Sequence, residues 1–259
     1  MTDSRTFVLC GHRGNMADAP ENTLLGFASG ERVGVDEIEL DVRATRDGEL
    51  VIVHDRTLAR TAAAPSPHLH TPIEDLTFDE VRSVDLGEGQ LVPTFEETLD
   101  ATSVLLQVEI KAPSAARPLA EFLKNRPDSD LQRCLFTSFD PLSLYAFADE
   151  WGTAAMGRGL GYHTHDVTGN WHDGVKMLDI SMVLIPLEQL TRPLVDQLHD
   201  EGYLVAGSLL ENHGDARRIV ELDVDTAASN APEYALRLLQ ANDEFTSRYP
   251  EFATTTALV

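Results

Sequence analysis

Phe7-Val8-Leu9-Cys10-Gly11-His12-Arg13-Gly14 and Glu37-Ile38-Glu39-Leu40-Asp41-Val42 are the two stretches that decide the fold. The first is a short apolar run that ends in a glycine turn, the signature of a buried strand. Side chains alternate along a strand, so Val8, Cys10 and His12 share one face. The second run carries acids at its odd positions and aliphatics at its even ones. Glu39 and Asp41 therefore project the same way, against a face of Ile38, Leu40 and Val42. A third run, Val104-Leu105-Leu106-Gln107-Val108, ends in Glu109-Ile110-Lys111, and Glu109 and Lys111 repeat the pattern. Three strands thus put polar groups on one face near their C-terminal ends, where ligands bind in parallel α/β folds.

Further strand-like runs lie near 133–137, 154–158, 180–185, 203–207 and 223–228. Helical patterning fills Thr23–Val33, Ala115–Asn125, Pro141–Trp151, Arg192–Glu201, Asp215–Glu221 and Pro232–Ala241. Eight strands alternating with helices predict an α/β protein built as a closed TIM (β/α)8 barrel. At 259 residues the chain fits one such domain, since these barrels run to about 250 residues. Asp47-Gly48 between strand-like runs reads as a tight hairpin, which would carry His54 back over the barrel mouth towards His12. The stretch from about 56 to 93 is long for a strand–helix connection. It reads as a short insertion between the second and third barrel strands, with a helix near Phe78–Val84.

Composition narrows the function. There are 43 acidic against 20 basic residues, for a net charge of −23. That balance argues against nucleic acid, which needs a basic footprint, and against stable association with an anionic membrane. An anionic substrate would be repelled at long range, so its site must supply local positive charge. No run approaches the ~20 apolar residues that span a bilayer. Met1-Thr2-Asp3-Ser4-Arg5 lacks the features of a signal peptide, so a cytoplasmic location is expected. Cys10 and Cys134 fall in separate strands and read as buried apolar residues.

Two histidines, cations and oxygen ligands gathered near strand ends are the parts of metal-assisted phosphoryl transfer. Glu39, Asp41 and Glu109 offer oxygen ligands of the kind a hard divalent cation takes. His68 with His70, and His163 with His165, have the spacing of metal pairs, although such pairs are common in exposed loops. His163, His165 and Trp171 could also line a substrate pocket. Asp55 reads as a partner orienting its neighbour, and Glu21 as either a site support or part of a helix start.

The chain resembles the glycerophosphodiester phosphodiesterases. The resemblance rests on His12-Arg13-Gly14, Pro20-Glu21-Asn22-Thr23, Glu39-x-Asp41, Asp47-Gly48, His54-Asp55, Pro93-Thr94-Phe95-Glu96-Glu97, Glu109-x-Lys111 and Ser138-Phe139-Asp140, in family order over the first half of the chain. It implies a TIM barrel that hydrolyses glycerophosphodiesters to an alcohol and glycerol 3-phosphate with a divalent cation, Mg²⁺ or Ca²⁺. It would make His12 and His54 the acid/base pair, Glu39, Asp41 and Glu109 metal ligands, and Arg13 and Lys111 phosphate contacts. Which histidine is the base stays open, as does attack by water or by a substrate hydroxyl. The second half departs from the pattern. Val205-Ala206-Gly207-Ser208-Leu209 stands where the family has Trp-Thr-Val-Asn, and Ser229-Asn230-Ala231-Pro232 where it has Thr-Asp-x-Pro. The resemblance places those positions on the alcohol or glycerol side, so the preferred alcohol is open. A lysophospholipase D or sphingomyelinase D-like enzyme, a non-catalytic phosphate-binding barrel, and a metal-dependent lyase or isomerase are the alternatives.

Overall fold

The computed structural model describes residues 7–151, 158–165, 167, 171–175 and 177–254. Nine strands form one sheet: β1 (Val8–His12), β2 (Glu37–Ala44), β3 (Leu50–Ile52), β4 (Leu105–Ile110), β5 (Cys134–Ser138), β6 (Leu160–His163), β7 (Ile180–Pro186), β8 (Leu204–Ser208) and β9 (Thr226–Ser229). Eight pair in parallel, and β1 bonds both β2 and β9, which closes the barrel. The ninth, β3, folds back antiparallel on β2. Thr45 and Asp47 hold that hairpin through a 2.7 Å side-chain hydrogen bond, and Gly48 takes the positive φ of 89° the turn requires. The run expected at 154–158 falls mainly on residues outside the described ones; the strand that bridges β5 and β7 is Leu160–His163.

The alternation in β2 sorts its two faces as the period of two demands. Ile38, Leu40 and Val42 are fully buried and join the large apolar layer between barrel and helices. A smaller cluster of Leu135, Met182, Leu184 and Ala206 comes from alternating positions on β5, β7 and β8. Residues of the 56–93 stretch pack with the β3 hairpin in a third cluster built on Val51, Leu58, Ile73, Val81, Leu86 and Val92. Its helix, Phe78–Arg82, starts at Thr77 with reciprocal bonds to Glu80. The helices Pro232–Gln240, Asp243–Arg248 and Pro250–Thr254 end the described chain, and the last two have no counterpart in the periodicity reading. Their Phe245, Tyr249 and Phe252 pack on Phe7 at ring-centroid distances of 5.1, 5.8 and 5.9 Å. Phe7 enters β1 at its N-terminal end, so this aromatic cluster covers the barrel end opposite the site.

Candidate active site

Strand register brings the acids together. Cα pairing sets His12 beside Glu39, Glu39 beside Gln107, and Asp41 beside Glu109. Glu39, Asp41 and Glu109 are all buried, and each offers an oxygen within 4.8 Å of the others'. Among the described residues this is the one cluster of metal-ligand geometry; neither histidine pair joins it. Desolvation, then the neighbouring Asp41 and Glu109, holds Glu39 well above the usual carboxylate range. Desolvation followed by Asp41 pushes Glu109 up to about 7. Three mutually repelling carboxylates out of water call for a cation. Asp41 Oδ1 is buried without a hydrogen-bond partner, an orphan acceptor that a hard, oxygen-binding ion would satisfy. The residues present therefore fit a divalent metal.

The expected cations surround this cluster. Lys111 Nζ lies 2.7 Å from Glu109 and 3.5 Å from Asp41. Arg13 Nε lies 3.3 Å from Asp41, and its Nη1 donates to Glu21 at 2.9 Å. Arg13 has a φ of 53° and Asn22 one of 55°, conformations that cost non-glycine residues about 1–3 kcal/mol each. The structure uses both. Arg13 donates its backbone N–H to Glu39 at 3.0 Å, and Asn22 donates its side-chain amide to Asp41 at 2.8 Å.

The two histidines are held by different partners. His12 Nδ1 lies 2.7 Å from Asn230 Oδ1, while the Asn230 amide nitrogen donates to Glu211 at 2.9 Å. A carboxylate can only accept, so the Asn230 oxygen must face His12. His12 is then the Nδ1–H tautomer, with a bare Nε2 that lies 3.9 Å from Glu39. Burial, followed by the Arg13 charge, lowers the His12 pKa and keeps the ring neutral. His54 Nδ1 instead meets the Asp55 carboxylate at 2.6 Å, so Nδ1 is again the donor. Arg60 bonds the other Asp55 oxygen at 2.7 Å and reaches both oxygens of Glu21, at 2.5 and 2.7 Å. A chain His54–Asp55–Arg60–Glu21–Arg13 thus ties one histidine to the acidic cluster.

A cavity of about 230 Å³ opens over these groups. His12, Arg13, Glu39, His54 and Glu109 line it; Asp41 and Lys111 reach it through their contacts with Arg13 and Glu109. His163 is a wall residue, whereas His165 and Trp171 are not. His163 Nε2 lies 3.0 Å from Thr137 Oγ1, and Phe139 stacks on its ring at 4.3 Å. Trp171 is buried against Tyr162 and His172. Cys10 and Cys134 are free and buried, as their strand positions imply.

The family model described as "Glycerophosphoryl diester phosphodiesterase family" matches residues 12–234. The chain belongs to this family. It is accordingly a phosphoric diester hydrolase of the glycerophosphodiester phosphodiesterase type. A glycerophosphodiester phosphodiesterase of Caldanaerobacter subterraneus is 26% identical over 251 residues, spanning 91% of this chain and 98% of that relative. Two solved structures share the fold. One is an Oleispira antarctica phosphodiesterase in complex with the product sn-glycerol-3-phosphate, at a TM-score of 0.79 and 24% identity, covering 89% of this chain and 96% of that one. The other is a Thermotoga maritima glycerophosphodiester phosphodiesterase at a TM-score of 0.73 and 24% identity, covering 90% and 98%. No helix among the described residues is long and apolar enough to cross a membrane.

Arg60 and Asn230 were not singled out for the site from sequence. Arg60 is five residues past Asp55 in a stretch without periodicity. Asn230 is 218 residues from His12, so no local signal links them.

Proposed function

We propose that this enzyme is a metal-dependent glycerophosphodiester phosphodiesterase that releases an alcohol and glycerol 3-phosphate from small, water-soluble diesters in the cytoplasm. The observation that carries the reading is the buried carboxylate cluster with an orphaned Asp41 oxygen, facing a cavity it shares with two histidines. The product bound to the Oleispira relative supports the substrate class.

Glu39, Asp41 and Glu109 would hold Mg²⁺ or Ca²⁺, which when bound would offset their charge and polarise a phosphoryl oxygen. His12, neutral with a bare Nε2, is the general base and takes the proton of the nucleophile. His54, oriented by Asp55 through Nδ1, is the general acid and hands the Nε2 proton to the leaving alkoxide. Arg13 and Lys111 place positive charge beside the phosphoryl oxygens, the local charge that a protein of net −23 must supply.

The test is turnover of a panel of glycerophosphodiesters by enzyme treated with EDTA, then given Mg²⁺ or Ca²⁺. Loss on chelation and recovery with a divalent ion are expected. Full turnover in chelator would refute the metal dependence. Failure on every glycerophosphodiester would refute the substrate class.

A further inference from the structure

Gln107 lies two residues before Glu109 on β4, so its side chain leaves the strand on the same face, roughly 6–7 Å closer to the N-terminal end. It lines the same cavity as the histidines, and its residue surface is only 5% exposed. Among the described residues its side-chain amide makes no hydrogen bond, although nearby polar groups are committed. Thr226 Oγ1 donates to Val8 O at 2.9 Å, and Glu37 is paired with Arg158. Buried amides are nearly always partnered, and an orphan costs about 1–3 kcal/mol. Leu184 and Ala206 share this wall with Gln107, and the small side chain of Ala206 helps keep the space open.

We infer that Gln107 is a specificity residue that binds a free hydroxyl of the substrate's glycerol arm at the deep end of the cavity. The inference rests on the glycerophosphodiester reading above. An uncharged amide with one acceptor and two donors matches a hydroxyl, which donates and accepts once each. Leu184 and Ala206 match the carbon skeleton. A phosphate or an ammonium group would find no free counter-charge in this layer.

The experiment compares wild type, Gln107→Leu and Gln107→Asn on glycerophosphocholine and on bis(p-nitrophenyl) phosphate, a diester without glycerol. Gln107→Leu should lose roughly 10–100-fold in kcat/KM on the glycerol ester, chiefly through KM, and less than threefold on the nitrophenyl diester. Gln107→Asn should fall between. Inhibition should follow the same division: Ki for sn-glycerol 3-phosphate rises in both variants, and Ki for inorganic phosphate does not. The inhibition constants for Gln107→Asn decide the matter if Gln107→Leu folds poorly. Equal losses on both substrates, or no loss on the glycerol ester, would overturn the inference alone. A wild-type enzyme that cleaves the nitrophenyl diester and no glycerol ester would overturn the underlying reading and this inference with it.

Discussion

Replacing Asn230 by alanine isolates what holds His12 in its working tautomer. Asn230 Oδ1 meets His12 Nδ1 at 2.7 Å, and the substitution leaves a buried ring N–H unpaired. Losing one neutral hydrogen bond costs about 0.5–1.5 kcal/mol, and leaving its buried partner unsatisfied about 1–3 kcal/mol. The ring can recover this only by turning or by moving its proton to Nε2, and either change removes the base. The expected loss in kcat is therefore roughly 5–150-fold, the equivalent of 1–3 kcal/mol on the barrier. That is smaller than the roughly 10²–10⁴ expected for His12→Ala. Glu211→Ala gives an independent check. Without its acceptor at 2.9 Å, the Asn230 amide is free to flip and present a donor to Nδ1, so a partial loss should follow. The assay is steady-state release of glycerol 3-phosphate from glycerophosphocholine, with urea unfolding to confirm that both variants remain folded. An Asn230→Ala enzyme within twofold of wild type would refute the tautomer argument.

The division of labour between histidines predicts that a p-nitrophenyl ester, whose leaving group needs no proton, restores turnover to His54→Ala and not to His12→Ala; rescue of both or neither contradicts it. Desolvation, with Lys111 nearby, pushes the His163 pKa down to about 3 from an ordinary 6.5. Between those values the unfolded chain binds a proton that the folded chain refuses, so the stability from a neutral His163 is complete above pH 6.5 and is lost as pH falls. From pH 7 to 5 the loss should be about 2 kcal/mol, read from urea midpoints; His163→Gln should show a loss smaller by that amount, and an unchanged pH dependence would refute the assignment. Glycerophosphocholine should exceed monomeric lysophosphatidylcholine in kcat/KM, because the cavity is only about 230 Å³ and Leu58, Ile73 and Val81 are packed inward. A preference for the lysolipid would reverse the substrate class.

What the sequence by itself determined is whatever depends on local periodicity. Alternation in 37–42 and 107–111 was enough to bring Glu39, Asp41 and Glu109 to one face, because a strand's side chains repeat every two residues wherever it pairs. Asp47-Gly48 specified its hairpin for the same local reason, and alternating strands and helices specified the barrel. The fifth strand was the weakest of these readings: Leu160-Gly161-Tyr162-His163 is only four residues long and has little apolar run to detect. The rest waited on barrel closure. Pairing of β1 with β9 brings Asn230 to His12 across 218 residues, and that contact decides which nitrogen is bare. The Arg60 clamp joins Asp55 to Glu21 across 39 residues, and the terminal aromatics find Phe7 only once the chain ends meet. No period in a sequence encodes such contacts, because they depend on which surfaces the closed sheet brings together. Gln107 shows both levels at once: its strand position was legible, but only the packed barrel shows that no side chain meets its amide.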